Sequence, residues 1–142
     1  MRGFDECLEL TRKIKEKEEL ICELKARVFT PRNQVISDMP RGGGGENEIE
    51  KYIIKLEKLE TLVKRLKDKR NDKWHLIIVS MSNCGIMEKE TVNLLHLRFY
   101  NGLSWEVCSK RMHGLYPDGK WNLNKCFRVY RSVLYKLNKA KS

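Results

Sequence analysis

The chain has 142 residues, enough for one domain or for one small domain with an extended accessory element. Charged residues make up 34% of it and aromatic residues 8%, which favours long solvated helices over a thick globular core. The formal net charge of +10 suggests a polyanionic partner, although ribosomal, membrane-surface and DNA-binding proteins all share that balance.

Cysteine and hydropathy patterns exclude several classes of protein. The five cysteines form no C-x-x-C pair and the three histidines are isolated, so we expect buried free thiols, no metal and no cofactor. The N-terminus has no signal-peptide core, and the most apolar run, residues 76–79, is far too short to span a bilayer. We therefore expect a cytoplasmic protein with no membrane partner.

Residues 1–28 predict an N-terminal coiled-coil helix. Apolar side chains recur at alternating steps of three and four, and only Lys17 interrupts the stripe. Pro31 ends the helix, because the residue before a proline avoids helical geometry. The stripe consists of Cys7, Leu10, Ile14, Ile21, Leu24 and Val28.

Residues 29–47 predict a flexible Pro/Gly-rich linker, since two prolines and four consecutive glycines do not suit a regular element. A second long helix is predicted over residues 48–82, starting near Glu46. Residues 74–81 alone would equally suit a strand, but no second strand is available for pairing, so we predict helix. The stripe of this helix contains Ile49, Tyr52, Ile53, Leu56, Leu59, Val63, Leu66, Trp74, Ile77 and Met81.

The two stripes leave the oligomeric state open. Neither helix can bury its stripe alone in water, so an antiparallel hairpin within one chain, a dimeric coiled coil, or both would satisfy the pattern. A homodimer through the N-terminal helices is therefore a candidate assembly.

Residues 86–142 predict a helix-turn-helix domain, so the expected fold class is all-α. After a turn at residues 82–86, one helix covers residues 88–100, and Asn101-Gly102 ends it as a left-handed cap would. Ser104 is a good N-cap for a short helix that packs through Trp105, Cys108 and Met112.

Residues 114–119 predict another break, after which Asn122 can cap a final helix. A short helix, a turn and a longer basic helix, preceded by a packing helix, form the layout of a helix-turn-helix. The face predicted to point inward contains Leu123, Phe127, Tyr130, Leu134 and Leu137. Trp74, Trp105 and Trp121 are expected to be packing anchors rather than a nucleotide platform.

Basic charge is concentrated in this last segment. Residues 1–45, 46–84 and 85–142 contribute +1, +2 and +7, and no acidic side chain follows Asp118. An amphipathic basic helix alone is weak evidence for DNA binding. Its combination with a cap, a preceding turn and this charge asymmetry favours double-stranded DNA as the partner. The predicted DNA-binding residues are Lys120, Asn122, Asn124, Lys125, Arg128, Arg131, Ser132 and Lys136. Of these, Lys125, Arg128 and Ser132 are expected opposite the apolar stripe.

Two stretches resemble a known family. Residues 94–107, LLHLRFYNGLSWEV, resemble a pattern of small phage-encoded regulators related to region four of the sigma factors. Residues 37–44, SDMPRGGG, resemble a motif of the same proteins in Gram-positive bacteria and their prophages. The resemblance, to the ArpU-like and RinA-like regulators, implies a transcriptional regulator in the host cytoplasm. Its motif helices would be residues 104–111 and 125–131.

The chain departs from that family between the two motif helices. Family members join them by a tight turn, whereas residues 112–122 here are longer and include Pro117-Asp118-Gly119. An alternative conformation for this stretch is a small wing-like loop with Lys120 and Trp121 at its edge.

Three functions fit the sequence. The first is a sequence-specific DNA-binding transcriptional regulator whose N-terminal helices dimerise or contact RNA polymerase. The second is a phage DNA-packaging subunit of the small-terminase kind, and the third is a coiled-coil adaptor without DNA specificity. No histidine lies near a paired acid or nucleophile at suggestive spacing, so we expect no catalytic residues and no enzymatic activity.

Overall fold

The computed structural model describes residues 2–29 and 44–141. These residues form an all-α structure without a strand, which confirms the predicted fold class. None of their helices combines the length and apolar character needed to cross a membrane. In chain order the helices are α1 Arg2–Phe29, α2 Gly44–Asn83, α3 Lys89–Leu95, α4 Trp105–Leu115 and α5 Leu123–Lys141.

The helix bounds correct the predicted linker over residues 29–47. Phe29 still belongs to α1, and Gly44 and Gly45 belong to the first turn of α2. The N–H groups of a first turn have no intrahelical partner in any helix, so glycine disturbs this position less than a helix interior. The remainder of the predicted linker, residues 30–43, lies outside the described residues.

The chain divides into two compact units. The larger unit comprises Met1–Arg12 and Lys69–Ser142, and the smaller unit comprises Lys13–Asp68. Both α1 and α2 therefore contribute residues to each unit. The larger unit includes residues 1–12 and 69–85, which the sequence pattern assigns to the N-terminal helices rather than to the segment 86–142.

The core of the smaller unit is built from the predicted stripes of α1 and α2. The Glu18 carboxylate and the Lys67 ammonium form an ion pair beside it, at 3.3 Å. The two stripes thus pack against each other within one chain, although Ile49 and Ile53 remain 41% and 39% exposed. The buried residues are Ile14, Ile21, Leu24, Leu56 and Val63, with Tyr52, Leu59 and Leu66 packed against them.

Residues 74–81 are helical, as predicted, and they form part of the core of the larger unit. That core joins the start of α1, the end of α2, α3 with its continuation, and α5. A large apolar side chain contributes roughly 1.5–3 kcal/mol to the stability of the fold when it is fully buried in this core. The buried residues are Phe4, Cys7, Ile77, Met81, Ile86, Leu95, Phe99, Val133 and Leu137.

α3 continues as a π-helical turn over His96–Tyr100, which the sequence pattern does not predict. Asn101 N–H bonds to His96 O at 3.0 Å, and Gly102 ends the turn at φ 72°, in the predicted left-handed conformation. Carbonyl groups at this end find partners on other helices, because the Thr11 hydroxyl donates to Tyr100 O at 2.8 Å and Arg70 donates to the same oxygen at 3.2 Å. The turn is therefore anchored to both α1 and α2.

α4 begins as predicted and ends later than predicted. The Ser104 hydroxyl accepts the Val107 N–H at 3.3 Å and caps the helix, while Cys108 and Met112 are fully buried. The helix continues through Gly114 to Leu115, so Gly114 does not break the chain. A Cβ built at Gly114 would have no atom within 4 Å, so this position faces solvent and the missing side chain leaves no gap in the packing.

Candidate nucleic-acid interface

α5 has 19 residues, and none of them is acidic. Its buried side is rotated by roughly 60° from the predicted stripe, which is less than the angle of about 100° that separates successive residues on a helix of 3.6 residues per turn. Cys126, Val133 and Leu137 are at most 3% exposed, whereas Leu123 and Phe127 are only half-buried. Tyr130 is half-buried and points inward as predicted, with its ring centroid 5.3 Å from that of Phe99.

The opposite side of α5 is polar and basic. Arg128 and Asn124 lie one turn apart, and Arg131 flanks them, so guanidinium and amide groups share one solvent-facing surface. The predicted site residues that this surface brings together are Asn124, Arg128, Arg131 and Ser132, all exposed, while the exposed Lys136 lies at its border.

Tyr135 is a member of this surface that the predicted site omits. It follows Arg128 by seven residues and Arg131 by four, so it falls on the same face, and it is 66% exposed. The Lys139 ammonium lies 5.9 Å from its ring centroid. The spacing of seven residues between Arg128 and Tyr135 is the feature of the sequence that places Tyr135 on this face.

Lys125 does not lie opposite the buried side, in contrast to the prediction. Its ammonium group donates a hydrogen bond to Gly119 O and lies 4.4 Å from the centroid of the Trp121 ring. The rotation of α5 explains the difference, since it moves Lys125 towards the segment that connects α4 with α5. Lys125 is thus half-buried and bonded within the chain.

The connection between α4 and α5, residues 116–122, is not a wing. It contains a single 3₁₀ turn over Pro117–Gly119, followed by Lys120 in the left-handed conformation at φ 54°. Trp121 is only 5% exposed and packs with Leu94, Cys108 and Met112, which confirms its prediction as a packing anchor. Lys120 is exposed at the outer edge of the connection.

Asn122 caps α5, as predicted. Its side-chain oxygen accepts the Lys125 N–H at 2.8 Å, so this oxygen is committed to the helix. The side chain of Asn122 remains exposed beside the N–H groups of the first turn, where the helix dipole favours negative charge. Lys120 and Asn122 therefore lie at the N-terminal end of the surface formed by Asn124, Arg128 and Arg131.

The thiols near this site are poorly suited to chemistry. Burial raises the pKa of Cys108 to about 11, and it also raises the pKa of Cys126. Three of the five cysteines are buried as expected, whereas Cys22 is exposed and Cys84 is half-buried. Within the described residues, no group of three or more His, Cys, Asp or Glu side chains is placed to hold a metal ion.

Comparisons with known proteins give no match, whether with family models, with curated proteins or with solved structures. The resemblance to sigma-related phage regulators stays a prediction from the two sequence motifs.

Proposed function

We propose that this protein is a sequence-specific double-stranded DNA-binding transcriptional regulator. In this proposal α4 and α5 act as the helix-turn-helix, and α5 is the recognition helix that enters the major groove. The observation that carries the proposal is the composition of α5, which buries one side in the core and offers a continuous amide and guanidinium surface on the other, with no acidic side chain.

The exposed arginine, asparagine, serine and lysine side chains of this surface match known modes of DNA contact. Arginine pairs bidentately with the guanine edge and asparagine with the adenine edge, which assigns base contacts to Arg128 and Asn124. Lysine and serine reach phosphates, which assigns backbone contacts to Lys120, Ser132 and Lys136. Because its ammonium group is bonded within the chain, we assign Lys125 a structural role.

A selection from a random duplex library tests the proposal directly. The wild-type protein is expected to enrich one sequence motif, and its affinity for that duplex is expected to fall steeply with salt concentration. Arg128→Ala should weaken binding to the selected duplex by about 1–3 kcal/mol and relax the preference at one base pair. Failure to enrich any motif would contradict the proposal.

Arg65→Ala is the matched control for Arg128→Ala. It removes the same exposed side chain from α2 in the smaller unit, so we expect no loss of sequence preference. If both variants lose the same affinity on every duplex, binding depends on total charge and the assignment of Arg128 to a base is wrong.

The smaller unit is proposed to dimerise or to contact RNA polymerase. The exposed Ile49, Ile53 and Ile54 at the start of α2 favour a protein contact there, since apolar side chains gain by leaving water. Light scattering coupled to size exclusion gives the stoichiometry. A monomer or dimer fits a regulator in the host cytoplasm, and a ring of many copies would instead support a packaging subunit.

A further inference from the structure

A side-chain clasp joins the first turn of α3 to the segment that leads into α5. Trp121 Nε1 donates a hydrogen bond to Glu90 Oε2 at 3.1 Å. The same ring has the Lys125 ammonium 4.4 Å from its centroid, and that ammonium is bonded to Gly119 O. We call these four residues, Glu90, Gly119, Trp121 and Lys125, the Trp121 clasp.

The Trp121 clasp is tightly packed at Gly119, and a second hydrogen bond, between Asn93 and Tyr116, lies near the other end of the connection. A Cβ built at Gly119 would lie 2.8 Å from Trp121 Cδ1 and Nε1, so the backbone approaches the ring as closely as it can. At the other end of the connection, Asn93 donates a hydrogen bond to the Tyr116 hydroxyl. Side chains of α3 therefore hold both ends of the segment between α4 and α5.

The position of the clasp matters for α5. Trp121 immediately precedes the N-cap Asn122, and Lys125 lies in the first turn of the helix. The Trp121 ring is therefore in contact with the first turn of α5, one turn before Arg128. Since α3 belongs to the core of the larger unit, the clasp ties the first turn of α5 to that core.

We propose that Glu90 is a positioning residue for DNA recognition, which acts through Trp121 to set the orientation at which α5 presents Asn124 and Arg128. This inference rests on the proposed function. Glu90 makes no DNA contact in it, because a carboxylate is repelled by phosphates. Its role is to accept the indole N–H of a side chain that is 5% exposed and would otherwise leave that donor without a partner.

The direction of the expected change in DNA affinity distinguishes a positioning role of Glu90 from a simple loss of negative charge. Removal of an acidic side chain ordinarily strengthens binding to a polyanion, on every duplex alike. A positioning role predicts the opposite on the preferred sequence only, because base contacts depend on the orientation of α5 whereas phosphate contacts tolerate its displacement.

The experiment uses the full chain and two duplexes, the one selected by the wild-type protein and a scrambled duplex of the same composition. Glu90→Ala should bind the selected duplex about tenfold more weakly, because α5 must then be oriented on binding without the charge-assisted hydrogen bond that holds it in the free protein. Its affinity for the scrambled duplex should be unchanged or higher. Glu90→Gln should bind both duplexes at least as well as the wild type, because the amide oxygen can still accept the Trp121 N–H and one negative charge is removed.

Glu88→Ala is the matched control, since Glu88 directly precedes α3, is exposed and caps nothing with its side chain. It should bind both duplexes at least as well as the wild type. Trp121→Phe is a second variant that keeps a ring but lacks the N–H, and it should reproduce the loss on the selected duplex even if Glu90→Ala is too unstable to assay. Thermal melts by circular dichroism identify variants that are folded at the assay temperature.

Two results would overturn the proposal. One is binding of the selected duplex by folded Glu90→Ala or Trp121→Phe with wild-type affinity or better. The other is an equal loss on both duplexes, which shows a general loss of structure. If the wild-type protein itself shows no preference between the duplexes, the proposed function fails, and that failure is visible before any variant is made.

Discussion

Phe4 near the start of α1 stacks on Phe99 in the π-helical turn, with ring centroids 4.7 Å apart and an interplanar angle of 30°. Tyr130 of α5 lies against both rings, at 6.0 Å from Phe4 and 5.3 Å from Phe99. Three segments that are distant in the sequence thus meet at one aromatic cluster, and Phe4 is completely buried in it.

Phe4→Ala is expected to lower the free energy of unfolding of the larger unit by about 3–5 kcal/mol, because it removes a buried ring and leaves a cavity. Urea unfolding followed by circular dichroism measures the change. Leu20→Ala is the control on the same helix; Leu20 is 42% exposed, so its replacement should change stability by only about 0.5 kcal/mol. If the two substitutions lowered the free energy of unfolding equally, Phe4 would not be packed in the core.

Gly114 in α4 and Gly119 in the connection should change stability in opposite directions when they are replaced by alanine. Gly114→Ala should stabilise the protein by about 0.5–1 kcal/mol, because the residue is helical and a Cβ there meets nothing within 4 Å. Gly119→Ala should destabilise it, because its Cβ would lie 2.8 Å from the buried Trp121 ring. Melting temperatures measure both changes, and a gain from Gly119→Ala would show that the ring can move.

Lys120→Gly should raise stability and lower DNA affinity at the same time. Lys120 has φ 54°, which costs an L-residue roughly 1–2 kcal/mol and glycine much less. Lys120→Ala is the matched comparison, since it removes the same charge and keeps the strained backbone. Both variants should weaken binding to any duplex and reduce its salt dependence, but only the glycine variant should melt at a higher temperature.

His96 should make stability depend on pH. Burial, assisted by the Arg70 charge, lowers the pKa of His96 below its ordinary value of 6.5. The unfolded chain therefore binds the proton more readily, so this contribution to stability is fully present above pH 6.5 and is lost as pH falls through the lowered pKa.

His96→Phe keeps the ring that stacks on Tyr100, with centroids 4.5 Å apart, and removes the titration. Urea unfolding at neutral and at acidic pH should show a smaller loss of stability for this variant than for the wild type. His113→Phe, at an exposed position in α4, serves as the control and should keep the wild-type pH dependence. An unchanged pH dependence in His96→Phe would refute this role.

Local features of the chain could be predicted well. The capping residues Ser104 and Asn122 and the left-handed Gly102 all have the predicted geometry, because each depends on side-chain and backbone chemistry within a few residues. The fold class and the helical state of residues 74–81 follow from periodicity over longer stretches.

Features that depend on distant partners could not be predicted. The hydrogen bond of Trp121 reaches Glu90 across 31 positions, and the rotation of α5 brings Lys125 to Trp121 and Gly119. The buried side of α5 was misplaced for a related reason. Periodicity favoured the larger Leu123 and Phe127, whereas Cys126, a small side chain, fills the space beside Cys108 and Met112. DNA binding and the base contacts remain predictions.

The membership of Phe4 in the core of the larger unit has a consequence for synthesis on the ribosome. That core contains Phe4 and Cys7 together with Val133 and Leu137, so it cannot be completed before residue 137 has been translated. The hairpin of the smaller unit needs only residues 13–68 and can form much earlier. The start of α1 would thus be synthesised well before its partners in the core, and nascent chains arrested before residue 99 should leave Phe4 accessible to solvent.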